Sequence, residues 1–323
     1  MVNQDKSKLK LLILIKDFDK IYLKHKMKYE MIRALEQFAD VYYWKRDGDI
    51  LDIIKQIGVR PDFILHYDIG WENFFSPKIT NLDKIDIPKG CYVIDTHWYK
   101  KKRVDYFTSN KIDLIFSVTK DSFLKHFPTF ESKFRWTPFS ISPDVFKDWE
   151  QEKTIKFLLM GLVYDGTRRS PAKGQYKFRE EVQRQMEKVE GFKFIRHPGH
   201  RTRKNHMVNE GFAKELNRAE IFFTCGGARQ YPVMKFFEVP GCRTLLLAEP
   251  NPDILELGFT DKENFIACDS NDLYEKALYY SENEIERNKI TDNGYNFIHQ
   301  YHTNAVRAKQ FINFMEEFIE EGK

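Results

Sequence analysis

Tyr231–Pro250 reads YPVMKFFEVPGCRTLLLAEP: a polar turn, a short helix carrying one glutamate, a break at Gly241, and then an apolar run. A carboxylate at a helix-to-strand junction, among Phe236, Phe237 and Val239, is costly to bury unless it has partners, so Glu238 is read as a ligand-binding group. Upstream, Ile221–Thr224 is a second apolar run, ending in the glycine turn Cys225-Gly226-Gly227-Ala228-Arg229-Gln230, which lets a ligand approach the backbone. Strand, glycine turn, helix and strand in that order are one repeat of a parallel α/β sheet.

The repeat extends in both directions. Short apolar runs predict strands at Leu9–Ile15, Val41–Trp44, Asp62–His66, Cys91–Asp95, Leu114–Val118 and Phe134–Pro138. Helical spacing falls between them at Lys24–Phe38, Ile50–Ile57, Tyr99–Ser109 and Asp121–Phe127. After Pro138, SISPDVFKDWEQEKT reads as a connection. A second series follows, with strands at Ile155–Met160, Phe192–Ile195, Ile221–Thr224, Thr244–Ala248 and Asn264–Ala267. Its helices are Tyr176–Glu190, Val208–Asn217, Val233–Val239, Asp272–Ser281, Glu284–His299 and Asn304–Ile319. We therefore expect two doubly wound α/β domains, residues 1–145 and 146–323, the last helix packing back on the first.

Composition agrees with that size. A hydrophobic share of 42% with 31% charged residues is globular rather than disordered. No apolar run reaches the ~18 residues of a membrane span, and the start lacks a signal-peptide core, so the chain is read as cytoplasmic. Cys91, Cys225, Cys242 and Cys268 are far apart beside apolar runs and are expected as reduced core residues. A net charge of +4 does not by itself call for nucleic acid or an anionic membrane.

In open parallel sheets ligands bind off the carboxyl ends of strands, which ranks the candidates. Off Cys91–Asp95 come Asp95 and His97, read either as cleft-facing acid–base groups or as a loop in which Asp95 caps the next helix. Off Ile155–Met160 comes GLVYDGTRRSPAKGQYKFR, with Gly161, Arg168, Arg169, Lys173 and Arg179, a basic loop before a helix that suits a diphosphate or is simply solvated. Off Phe192–Ile195, RHPGHRTRKNH places His197, His200 and His206 among arginines, where cation repulsion opposes a metal ion; phosphate contact or a plain exposed loop remain. Lys100-Lys101-Lys102-Arg103 reads by default as a solvated face, with an anionic acceptor as the alternative. Asp17-Phe18-Asp19 and Asp47-Gly48-Asp49 match a DxD pattern that is common by chance, and Asp49 looks like a helix N-cap.

KELNRAEIFFTCGGARQYPVMKFFEVPGCRTLLLAEP, then DILELGFTDKENFIACDSNDLYEKALYY and NGYNFIHQYHTNAVRAKQFINF, resemble the carboxyl-terminal signature of group-1 glycosyltransferases, in the branch of CgeB-like spore-maturation proteins. IPKGCYVIDTHWY and FPTFESKFRWTPFSISPDVFKDW resemble the acceptor-side half. The resemblance implies the GT-B fold, two Rossmann-like domains facing a cleft with closing C-terminal helices. It also implies transfer of a sugar from a nucleoside diphosphate, such as a UDP-sugar, without metal or other cofactor.

Glu238 matches the family's second glutamate, which holds the ribose hydroxyls, and Lys235 its basic helix start. The first glutamate position falls on Gln230, which carries no carboxylate. Lys173 with Arg168 or Arg169 matches the loop that neutralises the diphosphate; Arg179, His197, Gly161, Gly226 and Gly227 complete the implied donor set. Asp95 or His97 deprotonates the acceptor if the reaction inverts, or orients the sugar if it retains. The acceptor is a saccharide, a glycoconjugate or another hydroxyl compound, with a nucleic acid ranked below. A non-catalytic GT-B-like binding protein is the reading outside enzymes.

Overall fold

The computed structural model describes residues 8–71, 74–166, 169–199 and 207–322. They form two compact units, one of residues 8–21, 28–138 and 305–322, the other of residues 22–27 and 139–304.

The first unit is built on a six-stranded sheet, β1 (Leu9–Leu14), β2 (Ala39–Trp44), β3 (Phe63–His66), β4 (Lys89–Val93), β5 (Leu114–Ser117) and β6 (Phe134–Trp136), in the order β2-β1-β3-β4-β5-β6. All pairings are parallel. In β1 every residue but Lys10 is buried, because a strand paired on both edges and covered on both faces has no solvent side. Helix α1 (Ile50–Ile57) starts at Asp49, whose carboxylate accepts from the Leu51 amide at 2.9 Å, and stops at Gly58, in the left-handed region at φ +69°. Asp49 is thus the N-cap expected of it. Asp47 accepts from the Lys78 amide and Asp17 pairs with Lys45 at 2.7 Å, so these acidic groups hold local structure.

Helices α2 (Lys100–Ser109) and α3 (Asp121–His126) follow β4 and β5. The carboxyl-terminal segment also belongs to this unit, with Phe311 stacked on Phe116 at 4.8 Å and 5.6 Å from Tyr92.

The second unit has a five-stranded parallel sheet, β7 (Ile155–Gly161), β8 (Phe192–Arg196), β9 (Ala219–Thr224), β10 (Leu245–Ala248) and β11 (Ile266–Ala267), ordered β8-β7-β9-β10-β11. Helices α4 (Lys177–Met186), α5 (Glu210–Asn217), α6 (Lys235–Gly241), α7 (Leu273–Glu282) and α8 (Glu284–Tyr301) surround it. Phe157, Phe178, Val182, Phe223, Leu247 and Leu273 are among its wholly buried core. Strand order reverses between β7 and β9, the switch point where such sheets bind ligands.

Several expected boundaries move, four of them in ways that matter here. The strand expected at Cys91–Asp95 ends at Val93, leaving Asp95 in the following turn. The strand expected at Asn264–Ala267 shrinks to Ile266–Ala267. The helix expected to Glu190 stops at Met186, where the chain turns toward Gly191 at φ +83°. The helix expected over Lys24–Phe38 is α-helical over Lys26–Arg33 and tightens into 3-10 turns on either side. All four cysteines are buried free thiols, as expected. Among the described residues no helix is long and apolar enough to cross a membrane.

Candidate active site

At the switch point of the second unit β7 ends in Gly161, at φ +133°, a conformation that side chains resist. A Cβ built on Gly161 would stand 3.5 Å from Lys235 Cε and Nζ and 3.7 Å from Arg179 Nη1. Two cations from different helices therefore meet over one bare stretch of backbone.

Arg179 reaches this point from the first turn of α4. Its Nη1 donates to the Leu162 carbonyl at 3.2 Å, and its Nη2 to the Thr224 hydroxyl at 3.3 Å and the Cys225 carbonyl at 2.9 Å. The guanidinium lies 4.8 Å over the Tyr176 ring, and the side chain is buried. Arg179 thus ties the loop after β7 to the loop after β9. The planar guanidinium, with donors on both terminal nitrogens, suits acceptors spread over two loops.

Lys235 opens α6, with Nζ 5.8 Å from the Phe212 ring. Burial, then the Arg179 charge, push its ammonium down to about 8, and Glu238 one turn along opposes that shift. Glu238 is itself buried, at 7% exposure, in the first turn of α6. The costly carboxylate of the sequence is therefore at the ligand end of the sheet, beside a lysine.

The glycine turn is built for close backbone approach. A Cβ on Gly226 would lie 2.8 Å from the Tyr231 backbone, and one on Gly227, at φ +67°, 3.0 Å from the Gln175 carbonyl. The Ala228 amide donates to that carbonyl at 2.8 Å, joining the turn to the loop that carries Lys173 and Gly174. Gln230, left-handed at φ +53°, closes the turn, and its amide Nε2 donates to the Gly227 carbonyl at 3.2 Å.

The remaining candidates have less geometry of their own. Lys173 sits with Nζ 5.9 Å from the Tyr164 ring, and Arg169 is exposed. Arg168 lies outside the described residues, as do His200, Arg201, Arg203, Lys204 and His206. His197 accepts from the Gly199 amide through Nδ1 at 3.0 Å, and its Nε2 is 2.5 Å from Lys24 Nζ. Sequence reasoning missed Thr224, Cys225, Leu162 and Tyr176 as partners of Arg179; only their strand-end positions signalled them.

In the first unit Asp95 and His97 follow β4. The Trp98 amide donates to the Asp95 carbonyl at 3.1 Å, and the His97 ring lies 5.2 Å from that of Trp98. Helix α2 starts after Tyr99, a left-handed residue at φ +51° whose own side chain makes no cap. The solvated reading of Lys100–Arg103 needs correction. Arg103 is wholly buried, as is Asp68, and their side chains pair at 2.8 Å. Asp68 accepts in addition from the Gly70 and Ile94 amides, both at 2.9 Å, so Arg103 is a structural cation. Among the described residues no cluster of three or more His, Cys, Asp or Glu side chains could hold a metal ion.

Residues 147–313, more than half of the chain, match the model of the glycosyl transferase-like family. Solved structures share the fold across nearly the whole chain. HepE of Anabaena, in complex with UDP-glucose, is 10% identical, covering 96% of this chain and 100% of its own, with a TM-score of 0.55. Sucrose-phosphate synthase of Thermosynechococcus elongatus is 9% identical, covering 97% and 100%, with a TM-score of 0.62. A glycosyltransferase of Rickettsia africae is 10% identical, covering 98% and 100%, at 0.55. No curated protein matches the chain. With a family match over the unit that holds Gly161, Lys235 and Glu238, and two parallel α/β units of the GT-B type, the chain belongs to the glycosyl transferase-like family of group-1 glycosyltransferases.

Proposed function

We propose that the chain, a member of the CgeB-like branch, transfers a sugar from a UDP-sugar to an acceptor hydroxyl, with retention and without a metal ion. The observation that carries this reading is the meeting of Lys235 and Arg179 at Gly161, with the Glu238 carboxylate one helical turn along from Lys235. A leaving diphosphate gathers negative charge, and a fixed cation with backbone N–H groups at strand ends stabilises it without reorganising. In this reading Lys235 and the Gly161, Gly226 and Gly227 backbone face the diphosphate. Lys173, with Arg168 or Arg169, joins from the basic loop, and His197 stands beside it. Arg179 holds both strand-end loops in place, and Glu238 accepts the ribose hydroxyls.

Asp95 and His97 orient the sugar and acceptor, while the departing phosphate takes the acceptor proton. The four buried free thiols suit the reducing cytoplasm. Thermal shift with UDP-, GDP-, TDP- and ADP-sugars in chelator tests the donor, because a ligand of the native state raises Tm by mass action. A shift with the UDP-sugar that persists without divalent ions, followed by a product of unchanged anomeric configuration in NMR, is the expected result. No shift with any of the four overturns it.

Gln230 favours a second reading, binding without turnover. Its amide is engaged with the Gly227 carbonyl where related retaining enzymes place a carboxylate. A UDP-sugar that binds yet is neither transferred nor hydrolysed supports that reading instead.

A further inference from the structure

The first unit exposes two large aromatic rings in succession, after a half-buried histidine. Trp98 and Tyr99 are 49% and 59% exposed, their ring centroids 6.1 Å apart and their planes 37° from one another. His97 continues the series, 5.2 Å from Trp98 at 42°. Large amphipathic rings side by side in water suit the apolar faces of sugar rings.

The next three residues, Lys100, Lys101 and Lys102, are all exposed, and α2 has no acidic residue in its first turn. Cations at that end oppose the helix dipole, so the dipole does not explain them. Neither Lys100 nor Lys101 forms an ion pair with a described residue. Arg103 makes the arrangement rigid: its amide closes the first helical bond on the Tyr99 carbonyl, at 3.0 Å, and its buried guanidinium is held by Asp68. One buried residue thus fixes the aromatic pair and the three lysines on the surface.

We propose that Trp98–Lys102 is a docking surface for an anionic saccharide, with carboxylate or phosphate groups, and that this saccharide is the acceptor. The acceptor role rests on the glycosyl-transfer reading above; the binding does not. Sugar rings stack on Trp98 and Tyr99, and the lysines take one or two of their charges. A nucleic acid fits less well. With Arg103 withdrawn into the core, the cations rise along only about 3–4.5 Å of helix, too short to follow a phosphate backbone.

The test is calorimetric titration of the full chain with oligogalacturonate and a phosphomannan oligosaccharide, using maltoheptaose and oligo(dT) as controls. Wild type is compared with Trp98→Ala and with the Lys100→Ser, Lys101→Ser double variant. At least one anionic saccharide should bind ten times more tightly than maltoheptaose. Trp98→Ala should weaken it fivefold or more, and the lysine variant should do the same while flattening the salt dependence. Both variants should keep the wild-type Tm and the wild-type thermal shift with UDP-glucose, which shows that they fold and that the second unit is intact.

The proposal is overturned if neither anionic saccharide exceeds maltoheptaose, if the variants bind as wild type does, or if oligo(dT) binds more tightly than both. A wild-type chain that takes the saccharide but shows no shift with any nucleotide sugar supports the docking surface and overturns the transfer reading.

Discussion

Glu238 and Lys235 stand one helical turn apart in α6, and in the proposed reading they take opposite parts of a nucleotide sugar. If Glu238 accepts the ribose hydroxyls, removing its carboxylate forfeits charged hydrogen bonds of about 1.5–3 kcal/mol, or roughly 10- to 150-fold in donor affinity. Glu238→Ala should therefore raise the donor KM by that order; equal rates at subsaturating donor would remove the ribose assignment. Lys235 gives the site a pH dependence. Its ammonium is held down to about 8, against an ordinary 10.5, so between those values the unfolded chain binds the extra proton and this group's contribution to stability rises with pH. Donor binding has the other sign, because a diphosphate needs the protonated form. The donor Kd should be flat below about pH 7 and weaken above about pH 8, approaching tenfold per unit. Lys235→Met should bind more weakly throughout and lose that slope in the same titration.

Two elements hold these residues in place. Arg179 in α4 bridges the loops after β7 and β9, and Arg179→Met leaves the Leu162 and Cys225 carbonyls without it. At a cost of about 2–3 kcal/mol, Tm should fall by roughly 4–12 °C. Donor affinity should fall as well, although Arg179 need not touch the donor. Calorimetry and donor titration on the one variant check both. Helix α8 packs on α6 through Gly294, where a Cβ would stand 2.5 Å from the Asn264 carbonyl and 3.4 Å from Pro240 Cβ. The near atom is backbone and cannot turn aside, so Gly294→Ala should cost about 1–3 kcal/mol or more. It should also displace α6 with Glu238 and Lys235, and a melt with and without UDP-sugar reads the two effects separately. Gly241, next to Pro240 at the same end of α6, is milder, since its Cβ would meet Ile141 Cδ1 at 2.8 Å, the tip of a side chain that can turn aside.

For the molecule as a whole the Asp68–Arg103 pair is the largest buried electrostatic commitment described, both side chains being wholly buried. Breaking such a pair by removing one partner costs about 3–5 kcal/mol, because the other charge stays buried. Asp68→Asn should lower the urea midpoint markedly, and Asp68→Leu with Arg103→Met should recover much of the loss. Circular dichroism along a urea series distinguishes these from a surface pair, for which neither variant would move the midpoint.

The sequence by itself determined the alternation of elements, because burial on both faces of a parallel strand demands a short apolar run, and Leu9–Leu14, Ile221–Thr224 and Leu245–Ala248 are such runs, too short for a core helix. It marked Glu238, since a charge among phenylalanines has to be explained, and Asp49, since a cap acts over two residues. What acts across long separations in the chain was decided only in three dimensions. Arg179 and Lys235 meet at Gly161 because strand order reverses between β7 and β9, which no local pattern encodes. Arg103 looked like the fourth member of a basic run, yet a partner 35 residues away draws it into the core and leaves three lysines outside. Hydrophobic period fixes which face of an element is buried; the partner that a buried charge finds is set by tertiary packing.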